Sequence, residues 1–264
     1  MPRIAHTPQR RYCWDTMSPD DPSDAKVWNG QPTFRVKNPV MTQDWLTLSA
    51  VHWRVEPPIA QARLPEGLQI DIFDESAWVG LIPFQMADIA AGRGPAIPYF
   101  GTFPETTVRT YVTGPAGPGI WFDSLDITRL VPVLTAWATY RLPYIWSRMS
   151  ISRDGSSIEY RARRRWPGPR GTKSHVKIEI GDRITQPSQL EHFLSARWGL
   201  YTMLRGKLSF ADVEHEPWPL HEATPIEIDD QLLTAAGYPL GGVPDHVMYS
   251  PGVSVRIGRP RAVN

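Results

Sequence analysis

Apolar positions along this chain recur mostly in strand-length runs cut by proline and glycine. LSAVHWRV (48–55), LQIDIF (68–73), SAWVGLIPFQM (76–86), TTVRTYV (106–112) and GIWFDSLDI (119–127) alternate or run apolar and predict five strands. PVLTAWATYRL (132–142) differs: Val133, Trp137 and Tyr140 recur at helical spacing and the stretch stops at Pro143, which predicts a short helix. WSRMSIS, SSIEYRARRRW and SHVKIEI predict three more strands, with Asp154-Gly155 as a hairpin turn. PSQLEHFLSARWGLYTML (187–204) predicts a second helix, with Ser188 as N-cap and Leu190, Phe193, Leu194 and Trp198 on one face. From KLSFADVEHEPW onward the pattern returns to short strands and turns. Residues 1–40 carry little periodicity and are expected to form an irregular N-terminal arm before one domain over 41–264. A mainly β (α+β) domain with two or three helices results, most economically a closed or half-closed barrel, because closure removes exposed edges.

Composition narrows the class. With 264 residues and 41% hydrophobic content the chain buries a core without disulfides. The 28 Lys plus Arg against 27 Asp plus Glu leave no global field for nucleic acid or anionic lipid. No window approaches the roughly 20 apolar residues of a spanning helix. The single Cys13 fits a reducing, cytoplasmic setting. The 11 tryptophans and 27 prolines again favour many short, punctuated segments.

Generic catalytic patterns are missing. There is no GxSxG, GxxxxGK[ST], HExxH or CxxC, and GRG at 92–94 lacks the rest of a dinucleotide fingerprint. His215-Glu216 and His221-Glu222 are separated by prolines that preclude a helical metal site, so neither a metal nor another cofactor is expected. Arg161 and Arg163 to Arg165 beside Trp166 read as a solvated strand end rather than a nucleic-acid surface.

FPETTVRTYV (103–112), GPGIWFDSLD (117–126), YRLPYIWSRM (140–149), FLSARWGLY (193–201) and HEPWPL (215–220), in that order, resemble the YqjF-like family of uncharacterised bacterial proteins. The likeness spans roughly residues 43 to 224. It implies an acetoacetate-decarboxylase-like fold: a mixed, mostly antiparallel β-barrel around a small-molecule cavity. In the decarboxylases a YxE motif precedes a strand, and a short helix ends in a proline followed by the lysine that forms a Schiff base with a β-keto acid. Here FPE supplies Glu105, and alignment on Pro143 puts Tyr144 at the lysine position. An imine requires a primary amine, which a phenol does not provide. The only lysines are Lys26, Lys37, Lys173, Lys177 and Lys207. The chain also departs from the family pattern: Trp137, Ala196 and Glu216 stand where an arginine, a glutamate and a proline are usual.

A polar constellation remains. Glu105 and Arg109 lie four apart on a strand entry and so share a face, as an acid/base carboxyl and an anchor for a substrate carboxylate, or else as a buried structural ion pair. Tyr144 is the second candidate catalytic group, a donor to a carbonyl or enolate oxygen, with packing as its alternative. Tyr111 shares the face of Arg109, and Asp126 and Arg148 flank the same helix and are expected to join the substrate-binding set. His215 and Trp218 either cap the cavity or form a rigid edge plug, and Arg197 and Tyr201 are expected to tie the second helix to the barrel. The resulting expectation is a small-molecule protein, acting on an organic acid or carbonyl compound if it is an enzyme. The alternative is a non-catalytic carrier of a hydrophobic ligand or a self-associating homo-oligomer.

Overall fold

Residues 77–87 show almost no polar alternation because their strand is covered on both faces. In the computed structural model, which describes residues 30–97, 101–129 and 142–263, they belong to β3 (Ala77–Ala91), flanked by β1 (Met41–Val55) and β4 (Phe103–Gly114). Alternate residues of β3 enter different cores: Ile82, Phe84 and Met86 one, Val79 and Leu81 the other. A strand buried on both sides reads as a continuous apolar run.

The remaining strands are β2 (Gln69–Ile70), β5 (Gly117–Ile127), β6 (Tyr144–Asp154), β7 (Ser157–Trp166), β8 (Lys173–Arg183), β9 (Gly199–Leu204), β10 (Lys207–His215), β11 (His221–Asp230), β12 (His246–Ile257) and β13 (Arg261–Ala262). Three short helices are described: α1 (Pro57–Gln61), α2 (Gln189–Ser195) and α3 (Leu232–Ala235). Nine strands close in the order β5–β6–β7–β8–β11–β12–β1–β3–β4 and back to β5. The pairings are antiparallel except β5–β6, and β9 also runs parallel to β5. The expected fold class therefore holds: a mixed, mostly antiparallel barrel. β9 and β10 bridge from β5 to β12, so five strands are shared by a second, seven-stranded circuit. Val79, Leu81, Val108, Tyr160 and Ile178 pack inside the first circuit, and Ile82, Phe84, Leu200, Val213 and Ile257 inside the second.

Local expectations are met unevenly. Asp154 and Ser157 pair across a two-residue turn in which Gly155 takes φ +59°, the left-handed conformation glycine tolerates best. The first strand starts at Met41 rather than Leu48. The second helix stops at Ser195, and Gly199–Leu204 is a strand paired with both β5 and β10. Gly199 lies against the Phe210 ring, where an added Cβ would fall 1.9 Å from Cζ. That close approach leaves no room for a Cβ, and the pairing with both neighbours keeps the segment extended. The helix expected over 132–142 lies outside the described residues except for its last residue, as does the N-terminal arm except for residues 30–40, which form no helix or strand. No described helix is long and apolar enough to cross a membrane.

Candidate functional site

β4 sets the site. Its same-face residues Glu105, Thr107 and Arg109 point into the seven-stranded circuit and line a cavity of about 70 Å³, and Tyr111 follows them on that face. Phe84 and Met86 from β3, Gln43 and Trp45 from β1, Tyr144 at the start of β6, and Ile257 from β12 contribute further walls. The lining is mainly apolar, with a few convergent polar groups. At a strand rise of about 3.3 Å per residue, the Glu105 and Arg109 backbones stand roughly 13 Å apart, so the two side chains approach the cavity from opposite ends.

Glu105 is 2% exposed, and its Oε2 has no hydrogen-bond partner. Burial first, and the Asp126 charge second, push its carboxyl up to about 8. It therefore carries its proton at neutral pH. Burial, reinforced by the adjacent Glu105 charge, raises the Tyr144 phenol well above its usual value, so it stays an O–H. Arg109 donates from Nη2 to the Leu194 carbonyl at 3.3 Å and to the Tyr111 hydroxyl at 3.4 Å, while its buried Nε–H has no acceptor. The Tyr111 hydroxyl, whose oxygen accepts from Arg109, also shares a hydrogen bond of 2.7 Å with His52 Nε2. Burial, then the Arg109 and His246 charges, hold the His52 imidazole well below its usual pKa and therefore neutral. Tyr111 thus stands behind Arg109 and fixes it.

The structure brings together Glu105, Arg109 and Tyr144 with Tyr111 in support. It does not bring Asp126 and Arg148 to them. Asp126 pairs with Thr106 on the opposite face of the sheet, where Arg164 grips it through Nε at 2.9 Å and Nη2 at 2.8 Å and Ser147 donates at 2.6 Å. Arg148 alternates with buried Ile145 and Ser147 on β6 and faces outward. His215 and Trp218 stand one layer back from the cavity: Trp218 stacks on Trp45 at 6.0 Å, and His215 is wedged 4.5 Å from Trp198 and 5.1 Å from Trp218. His215 donates from Nδ1 to the Glu216 carbonyl, and burial lowers its pKa to about 4, so it does not titrate near neutrality. Arg197 binds Asp71 at 2.7 Å and the Phe193 carbonyl at 2.8 Å, tying the end of α2 to the barrel. Tyr201 accepts from the Ala116 amide and donates to the Gly117 carbonyl, tying β9 to the β4–β5 turn.

Two polar lining residues escaped the sequence reading. Thr107 was legible, since it sits between Glu105 and Arg109 on the same alternation. Gln43 precedes the run at 48–55, and only the alternation Met41, Gln43, Trp45 signalled it. Of the described lysines, Lys37, Lys173 and Lys207 are exposed, Lys177 is half-buried on β8, and none lines the cavity.

The model of the DUF2071 family, described as an uncharacterised conserved protein, matches residues 42–254. The protein YqjF of Bacillus subtilis (strain 168), itself uncharacterised, is 33% identical over 197 residues, 75% of this chain and 81% of that relative. The chain belongs to this family. Solved structures share the fold at low identity. The enduracididine biosynthesis enzyme MppR complexed with pyruvate superposes with a TM-score of 0.61 at 15% identity, over 92% of this chain and 95% of that one. Acetoacetate decarboxylase from Legionella pneumophila gives 0.60 at 12% identity over 88% and 92% of the two chains. An acetoacetate-decarboxylase-like enzyme from Sphingomonas wittichii RW1 gives 0.57 at 14% over 88% and 96%.

Proposed function

We propose that this member of the DUF2071 family binds a small organic acid or carbonyl compound in the β4 cavity and acts on it, where it acts, by proton transfer without an imine. One observation carries the reading: a neutral Glu105 carboxyl whose Oε2 has no partner shares a mainly apolar cavity with an Arg109 whose Nε–H lacks an acceptor. The two are not an ion pair. A ligand carboxylate satisfies Arg109 at one end, and its far end meets a carboxyl that still holds its proton. Glu105 then gives its proton to a carbonyl oxygen and, as the carboxylate so formed, takes the proton from the adjacent α-carbon, leaving the neutral enol with the Tyr144 hydroxyl to hydrogen-bond its oxygen. The volume limits the ligand: about 70 Å³ holds roughly five waters, or an acid of about that many heavy atoms. The structural neighbour that carries pyruvate supports a ligand of this size class. The second reading, a carrier of neutral apolar compounds, rests on the predominance of Leu48, Ile82, Phe84, Met86, Leu125 and Ile257 in the lining.

Calorimetric titration of short 2-oxo acids, hydroxy acids and their uncharged amides separates the two. Acids are expected to bind wild type, to lose roughly tenfold or more on Arg109→Gln, and to bind Glu105→Gln with little loss. Glu105→Gln is expected to abolish solvent exchange of the α-protons of a bound ketone followed by NMR. Equal binding of acids and uncharged isosteres, unchanged in Arg109→Gln, would overturn the anchoring role in favour of the carrier.

A further inference from the structure

The outer face of β6, β7 and β8 carries a row of cations that no acid among the described residues answers. Arg148 stands opposite Arg163 across the β6–β7 pair, and Arg163 stands opposite Lys173 across β7–β8. Residues so paired share a face with Cβ atoms about 5 Å apart, an arrangement that is destabilising for like charges. All three are exposed. Two residues on, Arg165 lies over the Trp146 ring at 4.9 Å, and the β7–β8 turn brings Arg170 alongside. Arg163, Arg165 and Arg170, with Trp146, Trp166 and Gly171, line an open groove of about 700 Å³. Among the described residues none of these five cations is in an ion pair, whereas their neighbours Arg161 and Arg164 are held by Glu159 and Asp126.

The patch is compact. Three strands span about 10 Å at their spacing of 4.7–4.9 Å. Glu159 ends it along β7, and Glu227 and Asp229 on β11 make the surface acidic beyond β8. A nucleic-acid strand needs a basic track that continues, and this one stops. Several positive charges within so short a span, most of them planar guanidinium forks, match one multiply charged phosphate group.

We propose that this groove is a second site, separate from the β4 cavity, that binds a small molecule carrying a di- or triphosphate group. Arg163 and Arg170 grip the phosphates, and Arg148, Arg165 and Lys173 supply further charge. The anion relieves the repulsion built into the Arg148–Arg163–Lys173 row.

The test uses the full chain with inorganic phosphate, pyrophosphate and tripolyphosphate as probes, read by calorimetry and by thermal melting. Saturable one-to-one binding that strengthens from phosphate to tripolyphosphate, and that weakens roughly tenfold in each of Arg163→Gln and Arg170→Gln, is the expected result. Arg163→Gln is expected to melt no lower than wild type without anion and to lose the upward shift that pyrophosphate gives wild type. Arg109→Gln, altered only in the β4 cavity, is expected to bind pyrophosphate as wild type does, so the two sites stand or fall separately. Absence of saturation, or equal binding by the groove variants, would overturn the proposal. So would an oligonucleotide whose affinity rises steadily with its length, which would make the face a nucleic-acid surface.

Discussion

Glu105 is a side chain whose burial works against the fold. Folded, it keeps its proton up to about pH 8, while the unfolded side chain gives it up near 4.5. Between those values unfolding releases a proton, so stability falls as pH rises through the window and the loss is complete above about 8. At 1.36 kcal/mol per unit this amounts to about 3 kcal/mol at pH 7. Glu105→Gln keeps the shape and removes the titration. The variant is expected to match wild type near pH 4.5 and to exceed it by a few kcal/mol at pH 8, measured as the difference in denaturant midpoints at the two pH values. A flat difference across the window would mean that Glu105 is ionised and paired in the folded protein. A residue that costs stability where it stands is better accounted for by what it does than by what it supports.

At the scale of elements, α2 links the cavity to a local capping signal. Ser188 accepts from the Glu191 amide, the Glu191 side chain accepts from the Ser188 amide, and the far end of the helix delivers the Leu194 carbonyl to Arg109. Ser188→Ala is expected to cost about 1 kcal/mol, a fall of roughly 2–4 °C in melting temperature, because it leaves a helix N–H without its acceptor. A shift under half a degree would show that the cap contributes nothing. The start of α2 was legible in the sequence because a capping box is local. Its end was not: Gly199 packs without a Cβ against the ring of Phe210 and the segment that follows pairs with two strands, and none of these contacts leaves a trace in helical periodicity. Glu105 and Arg109 were legible for the same reason that the cap was, since four residues along one strand fix a shared face. Asp126 lies on the opposite face instead, held by Arg164 from a different strand, a pairing that leaves no local signal in the sequence.

Over the whole molecule, two strand circuits share five strands, and β5 is where they part. Ile120 and Trp121 pair with β9, while Leu125 to Ile127 pair with β6, so the strand changes its parallel neighbour along its length. The Asp126–Arg164 pair sits on the nine-stranded side of that division, 0% and 2% exposed in its side chains. Ser124 accepts from Arg164 Nη2 at 2.8 Å, and Ser147 of β6 donates to Asp126, so groups from β5, β6 and β7 close one network. Its charge also reaches through the sheet, as the second cause of the raised Glu105 carboxyl. Arg164→Met leaves Asp126 buried without a counter-charge and is expected to cost 3–5 kcal/mol, roughly. The double change Asp126→Leu with Arg164→Met removes both charges and is expected to recover most of that loss, since a buried pair is worth little over an apolar replacement of similar volume. Chemical denaturation of the four corners of this cycle checks it. A double variant as unstable as the single one would mean that the serine hydroxyls, left without charged partners, matter more than the ions. A recovered double variant gives a further reading, because with Asp126 gone the Glu105 carboxyl loses one of its two causes for a raised pKa. Its window of pH-dependent stability is then expected to narrow from the alkaline side, which ties the junction of the barrel to the acid in the cavity.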